Sequence, residues 1–491
     1  MTARTHSHAS GSGILRGLRR VFLLGLAASL GVLSLACAFP ARAEPTSASI
    51  RHKLDDIVDA AMAGGSYPGL AVVIERDGEV IYAATRGYAD LENAVQVTRD
   101  TVFPIGSITK TFTALATLQL AAAGKLSLDA PVGSLLPALP EEFRTVSIRH
   151  LLNHTSGVPD YTRQPDFPID SQADLTPQQV LGYVAGTPLL FKPGTQFSYS
   201  NTDTYLLGLV VESVSGLSYR EYLRRNVFEP FGMRRTYYAD YRSVVAHRSR
   251  GYTPGTAPER FAGAPQYSAS VAYSAGALQS TVDDLLRYRR GVFEGKLTSP
   301  EVRRLMLETD SLADGTHVYY ALGCLIVRDF SGHRKISHSG VISGAAAHLA
   351  WYPDDHLVIA IAGNVDRPQI EPYSIEHRLA RVVLGLPPAP SNVVQPTAAE
   401  LDSFAGTYEV ERFRFEAGRY GFVAKDGNLF LQYEGAGSGA PLMPLVYNGH
   451  GRFSVKSDTE HTFQFDVASP HARTVHAEFF DGAFEARFIE P

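Results

Sequence analysis

Between Thr101 and Gly124 the chain reads Thr-Val-Phe-Pro-Ile-Gly-Ser-Ile-Thr-Lys-Thr-Phe-Thr-Ala-Leu-Ala-Thr-Leu-Gln-Leu-Ala-Ala-Ala-Gly, and no other stretch constrains the fold as strongly. A Pro-Ile-Gly loop runs into a long apolar segment that Gly124 is placed to stop. Apolar residues cover nearly every side of that segment, which predicts a helix buried all round. Ser107 and Lys110 stand at its first turn, three apart and therefore on one face. Burial lowers the pKa of a lysine amine. A neutral amine beside a serine hydroxyl is a base beside a nucleophile. The positive end of the helix suits an oxyanion. Ser-x-x-Lys fixes only two residues, so the reading depends on what the rest of the chain supplies.

At 491 residues the chain has the length for two or three domains and ample surface to bury. A net charge of -5 over that length gives no reason to expect nucleic acid or an anionic membrane as partner. The N-terminus reads as an export signal over residues 1–43. Arg16, Arg19 and Arg20 precede an apolar run from Val21 to Phe39, and Ala41-Arg42-Ala43 offers a cleavage site before Glu44. Arg19-Arg20-Val21-Phe22-Leu23 also resembles a twin-arginine motif. The length of the apolar run leaves an uncleaved anchor as the alternative. The expectation is a periplasmic or secreted protein with no stable membrane span after signal cleavage. Cys37 falls inside the signal, so the mature chain keeps Cys324 alone and forms no internal disulfide. Cys324 is expected as a buried strand residue within Ala321 to Val327.

Gly69 to Glu75 and Val80 to Ala84, around Asp77-Gly78, predict a hairpin. A mostly helical middle extends to about Tyr288. Strands resume at Ala321 to Arg328, His333 to Ser339, His348 to Tyr352 and Leu357 to Gly363. This order predicts an α+β domain over residues 44–385 whose sheet is built from both chain ends. Residues 386–400, rich in proline and alanine, read as a linker. From Leu401 short alternating strands recur with turns between them, predicting a small antiparallel β-barrel over 401–491. Its aromatic residues Phe413, Phe415, Tyr420 and Phe422 are expected to form the barrel's own core.

Three further segments bear on Ser107. In Phe197-Ser-Tyr-Ser-Asn201, on a loop entering a helix, Tyr199 and Asn201 are spaced to point into one cleft. Tyr199 beside a lysine can relay a proton, and Asn201 can hold a substrate amide; an N-cap with a packed tyrosine is the plainer alternative. Ile336-Ser-His-Ser-Gly-Val-Ile-Ser-Gly344 is a strand ending in small residues. Gly340 admits a close backbone approach, the amide of Val341 is a candidate to face that of Ser107, and His338 is a candidate donor to substrate. His154, in Leu151 to Gly157, is read as a structural loop histidine. The histidines are scattered without metal-ligand spacing, so neither a metal nor another cofactor is expected.

Ser107-x-x-Lys110, Tyr199-x-Asn201 and His338-x-Gly340 resemble, in order and approximate spacing, the motifs of the penicillin-binding and β-lactamase-like serine hydrolases of the class C type. Leu151 to Gly157, Lys125 to Pro131, Phe228 to Met233 and Ser274 to Asp284 add to the likeness, which covers about residues 50 to 385. The tail from Leu401, with Asp402-Ser-Phe-Ala-Gly-Thr-Tyr408, is similar to the lipocalin-like domain that often follows such hydrolases. The resemblance implies a β-lactamase/transpeptidase-like fold, a helical subdomain packed on an antiparallel sheet flanked by helices, with a cleft between. It implies acyl transfer on a small-molecule or peptide substrate: Ser107 attacks, Lys110 and Tyr199 together move protons, and the amides of Ser107 and Val341 hold the oxyanion.

One residue departs from the pattern. Efficient β-lactamases of this group have lysine where this chain has His338, and His-x-Gly occurs in relatives acting on D-amino-acid peptides and in some penicillin-binding peptidases. Histidine is only partly charged near neutral pH and is a weaker magnet for a substrate carboxylate; Arg328 and Arg334 are the other candidates for that charge. The first expectation is therefore an exported D-amino-acid-type peptidase, DD-carboxypeptidase or D-aminopeptidase-like. A carboxylesterase or weak β-lactamase of the same mechanism comes second. From another class, a catalytically silent binding protein would use the barrel as its working part. The sequence sets no oligomeric state.

Overall fold

A computed structural model describes residues 47–490 except for 64, 169–170, 239, 241, 257–259, 388–393, 411–412, 415–418, 434–441, 457, 467–471, 473 and 480–481. The expected export signal, Phe415 and much of the expected linker therefore lie outside the described residues. Of Phe413 only the backbone is described.

Eight strands form an antiparallel sheet in the order Tyr320–Ala321, Leu325–Phe330, His333–Ile342, Ala345–Tyr352, Leu357–Gly363, Gly69–Arg76, Glu79–Asp90 and Val95–Gln96. The Gly69–Arg76 strand lies between its hairpin partner and the last strand of the sheet in sequence, with Leu70 opposite both Arg86 and Gly363. The sheet is thus built from both ends of the domain, as the order of elements implied. Side chains along this strand alternate between two cores. Leu70, Val72 and Ile74 pack with Leu54 and Val58 of the Ser47–Ala63 helix and with Ile375 and Leu379 of the Pro372–Val383 helix. Ala71 and Val73 face the other way, into the helical subdomain. Burial on both faces explains why the strand reads as an unbroken apolar run.

At the centre of the helical subdomain is the Thr109–Ala122 helix, buried at every position from Thr109 to Leu118 and again at Leu120. The helices Asn201–Ser215, Ala269–Gly276 and Pro300–Met306 surround it, and Phe112 stacks on Tyr288 with ring centroids 3.8 Å apart. One expected strand is broken. Ala321 to Arg328 forms two strands joined by a turn in which Cys324 takes φ 51°. The turn is held by the N–H of Gly323 on Met306 O at 3.2 Å and that of Cys324 on Ala321 O at 2.9 Å. Cys324 is buried as expected, but in a turn rather than a strand, with its thiol on Leu152 O.

Downstream, eight antiparallel strands close into a barrel: Gly406–Val410, Arg419–Lys425, Asn428–Tyr433, Met443–Gly449, Arg452–Val455, Asp458–Phe465, Thr474–Phe479 and Gly482–Glu490. Pairing of the first with the last closes the ring. Its interior is filled by Tyr408, Tyr420, Phe422, Phe453, Phe463 and Phe465, and by Phe404 from the Ala398–Phe404 helix. A barrel of eight strands is just narrow enough to be filled this way. Among the described residues it meets the hydrolase part through a strand pairing and a ring contact. The Phe413–Arg414 backbone pairs in parallel with Phe197–Ser198, and the His461 ring lies 5.0 Å from that of Tyr373. Among the described residues, no helix is long and apolar enough to cross a membrane.

Candidate active site

Ser107 sits in the 3-10 turn Gly106–Ile108 that leads directly into the Thr109–Ala122 helix. Two glycines let the His333–Ile342 strand reach this turn. Gly106 has φ +48°, and a Cβ there would lie 2.7 Å from Val341 N. A Cβ on Gly340 would lie 2.0 Å from Ile105 O and 2.9 Å from Ser107 N. Approach this close leaves no room for a side chain on either partner. It brings the amides of Ser107 and Val341 close together at the positive end of the buried helix. The Val341 side chain is half exposed.

Lys110 is fully buried. Its Nζ meets Ser107 Oγ at 3.0 Å, Asn201 Oδ1 at 2.8 Å and Ala275 O at 2.8 Å. It also stands 4.8 Å from the centroid of the Tyr199 ring. All three bonded partners are neutral oxygens. Burial pushes the amine down to about 7, against an opposing pull from the charge of Asp160. The three partners suit both protonation states. An ammonium donates to all of them. A neutral amine keeps its two bonds to the carboxamide and the carbonyl, and turns its lone pair to the Ser107 hydroxyl, which donates as readily as it accepts. Proton exchange between Ser107 and Lys110 thus requires no rearrangement of their neighbours.

The carbonyl of Ala275 is delivered by a strained backbone. Tyr273, inside the Ala269–Gly276 helix, takes φ 41° and ψ -129°, a conformation that costs on the order of 1–3 kcal/mol unless its surroundings hold it. Here Ser274 is clamped on both sides: its hydroxyl donates to Thr204 O at 2.8 Å and its carbonyl accepts from Thr113 Oγ1 at 2.7 Å. Tyr199 follows the short Phe197–Ser198 strand, with its ring 4.6 Å from that of His154. Asn201 is the first residue of the next helix. Its carboxamide is engaged by the protein at both ends, Oδ1 by Lys110 and Nδ2 by Asp160 Oδ2 at 3.0 Å and Thr162 Oγ1 at 3.1 Å. The three motifs therefore converge on one place in the fold.

A family model described as Beta-lactamase matches residues 54–382. The chain belongs to the beta-lactamase family. It is 26% identical to Penicillin-binding protein 4* of Bacillus subtilis over 328 residues, 64% of this chain and 72% of that protein. Its fold is similar to that of the octameric penicillin-binding protein homologue from Pyrococcus abyssi, with a TM-score of 0.62 and 25% identity, over 89% of this chain and 99% of that one. The D-stereospecific amidohydrolase from Streptomyces sp. is similar with a TM-score of 0.59 and 26% identity, over 69% of this chain and 99% of that one. Membership makes the protein a serine hydrolase of β-lactamase fold, as the motifs implied.

Within this family member the third motif is inward-facing. His338 is buried, with Nε2 2.9 Å from Tyr320 OH and Nδ1 on Ser339 O. Burial, reinforced by the charge of Lys110, pushes the imidazole down to about 3. It is therefore neutral at physiological pH, its Nδ1–H donating to the carbonyl and its Nε2 accepting from Tyr320. Arg328 lies over the Tyr319 ring, its guanidinium carbon 5.6 Å from the centroid. Arg334 is exposed, across the hairpin from Asp329. His154 is fully buried behind Tyr199, with Nδ1 2.9 Å from Asp203 Oδ2. Burial pushes His154 down and Asp203 up.

Three groups at the site were not singled out from the sequence: Asp160 and the Ala275 carbonyl, which act on Lys110, and Tyr320, which holds His338. For Asp160 a signal existed. Asp-Tyr-Thr is an Asx-turn pattern, and the Asp160 side chain does accept from Thr162 N at 2.8 Å. Among the described residues, no group of three His, Cys, Asp or Glu is placed to hold a metal ion.

Proposed function

We propose that the protein is an exported hydrolase that forms an acyl-enzyme on Ser107 and acts on D-amino-acid peptides or amides with no free carboxylate beside the scissile bond. The observation that carries the reading is the Lys110 amine, buried among neutral oxygens and 3.0 Å from Ser107 Oγ. In this reading Ser107 Oγ attacks the carbonyl carbon, and its proton passes to the Lys110–Tyr199 pair. The N–H groups of Ser107 and Val341 receive the oxyanion. Collapse breaks the C–N bond as the pair returns a proton to the leaving amine. Water then adds to the acyl ester and releases the acid, restoring Ser107. Residues 44–385 carry this chemistry, 386–400 link it to the barrel of 401–491, and residues 1–43 direct export.

Two observations support the substrate class. His338 is neutral and turned into the protein, so the third motif offers no cation to a substrate carboxylate. The Streptomyces relative, 26% identical, is a D-stereospecific amidohydrolase. A D-aminopeptidase-like or amidase-like activity therefore stands ahead of a DD-carboxypeptidase. The same lack of a cation favours a carboxylesterase as the second reading.

The test compares D- and L-phenylalanine p-nitroanilide, p-nitrophenyl acetate and an acetylated peptide ending in D-Ala-D-Ala, on the mature chain and on Ser107→Ala. The expected result is release of p-nitroaniline from the D-anilide in preference to the L-anilide, faster than D-Ala release, and abolished in the variant. Preference for the D-Ala-D-Ala peptide would shift the reading to a carboxypeptidase. Ester turnover without anilide turnover would shift it to an esterase. Turnover that survives Ser107→Ala would overturn the nucleophile.

A further inference from the structure

We propose that Asp160 is the positioning residue of the Ser107–Lys110 pair, acting through Asn201, whose carboxamide it fixes so that Oδ1 faces the amine. The proposal rests on the reading of Ser107 and Lys110 as the reacting pair.

Asp160 lies in the loop after Leu151 to Gly157 and is 6% exposed. Both of its oxygens are used. Oδ2 accepts from the main-chain N–H of Asn201 at 3.1 Å and from its Nδ2 at 3.0 Å. Oδ1 accepts from Thr162 N and Thr162 Oγ1, each at 2.8 Å. Thr162 Oγ1 in turn accepts the second Nδ2 proton of Asn201 at 3.1 Å. With both amide protons held on one side, the carboxamide has a single orientation, and its oxygen is left for Lys110 Nζ at 2.8 Å. The opposite orientation would set the NH2 group against the Lys110 donors and the carbonyl against a carboxylate that only accepts. The loop itself is docked on the same helix end. Tyr161 N donates to Thr202 Oγ1 at 3.0 Å, Thr202 Oγ1 donates to Pro159 O at 2.6 Å, and Tyr161 OH donates to Val271 O at 2.9 Å.

Asp160 also acts by its charge. The titratable and charged groups acting on Lys110 come from several elements: Asp160 from this loop, His154, Asp203, Cys324 and His338, with the Tyr199 ring beside it, while Arg163 faces Asp160 itself. Burial is the largest influence on the amine, and the Asp160 charge is the largest that opposes it. Removing that charge while keeping the shape lets the amine lose its proton at lower pH.

The experiment uses the full mature chain, the Asp160→Asn, Asn201→Ala and double variants, and p-nitrophenyl acetate, with Ser107→Ala as control. Asp160→Asn is expected to lower kcat about 10²-fold, the scale of a misplaced catalytic group, with KM within about twofold and the acid limb of kcat/KM moved to lower pH. The double variant is expected to be no slower in kcat than Asn201→Ala alone, because the positioning by Asp160 runs through Asn201, and to keep the shift of the acid limb, because the charge acts on Lys110 directly. An unchanged kcat, a loss of kcat with the acid limb unmoved, or additive losses would overturn the proposal. Should Asp160→Asn fail to fold, Thr162→Val decides. It removes one holder of the amide but no charge, and is expected to lower kcat with the acid limb unmoved; wild-type kcat in that variant overturns the proposal. Residual turnover in Ser107→Ala would instead count against the nucleophile.

Discussion

Lys110 and Lys335 are both buried, yet the protein surrounds them differently. Lys110 Nζ touches a hydroxyl, a carboxamide oxygen and a main-chain carbonyl. Lys335, on the His333–Ile342 strand, bonds Glu376 of the Pro372–Val383 helix. Glu376 also accepts from Tyr352 OH at 2.7 Å, and His348 Nε2 lies 3.4 Å away. Burial alone would raise the Glu376 carboxyl, but the Lys335 charge and the neighbouring histidines outweigh it and hold the group below the ordinary carboxylate range. The strand's alternation keeps the two regions apart. His338 and Gly340 lie on the side of the Ser107 turn, whereas Lys335 and Ser339 look toward Glu376 and His348. A buried amine given a carboxylate holds two elements together. One given only neutral oxygens is free of that task and, in the proposed reading, serves as a base.

That contrast is broken most severely by exchanging the losses. Lys110→Met is expected to lower kcat by about 10³-fold or more, the range assigned to a positioned acid–base group, while the chain still folds. Lys335→Met is expected to do the opposite. Removing one partner of a buried pair costs about 3–5 kcal/mol, so its melting temperature falls while turnover per folded molecule stays near wild type. Steady-state kinetics and thermal melts on both variants check this. If Lys335→Met lowered kcat with stability intact, the assignment of roles would be wrong.

The same contrast sets opposite pH dependences. An amine with a folded pKa of about 7 becomes a base as pH rises through that value, so kcat/KM should climb there. Stability follows from linkage. The unfolded lysine titrates near ~10.4, so between about 7 and that value the unfolded chain binds a proton the folded one has lost, and stability rises with pH. Glu376 has the opposite arrangement, with a folded pKa below its unfolded one. Its contribution is present above about pH 4.3 and is lost as pH falls toward the folded value. Melting curves of wild type and Lys110→Met should therefore converge from pH 6 to pH 9. A constant gap would mean that Lys110 is not titrating in the folded chain near neutral pH.

What the sequence made legible was local or periodic. Ser107 and Lys110 are three apart on an apolar helix, and the alternation of short strands announces the barrel. What escaped depends on contacts across long separations or on main-chain atoms. Asp160 reaches Asn201 over 41 residues, Tyr320 reaches His338 past the intervening Leu325–Phe330 strand, and the Ala275 carbonyl has no side chain to betray it. His338 read as a half-charged group; only its enclosure by Tyr320 and Ser339 makes it neutral.

The barrel touches both regions, and there the smallest effects are expected. The Phe413–Arg414 backbone lies beside Phe197–Ser198, the strand that leads straight to Tyr199. On the other side of the sheet, His461 meets Tyr373, the second residue of the Glu376 helix. If the first contact narrows the cleft, a chain ending near Pro387 should act on bulky anilides several-fold better relative to p-nitrophenyl acetate. The second contact involves an aromatic pair rather than the Lys335–Glu376 bond, so the melting temperature of the hydrolase part should move by only a few degrees. Relative kcat/KM values for small and bulky substrates check the first statement, and a thermal melt checks the second. Unchanged selectivity would remove the barrel from the cleft and leave it a role outside the chemistry. A collapse of the truncated chain would show that Lys335 and Glu376 depend on the barrel as much as on each other.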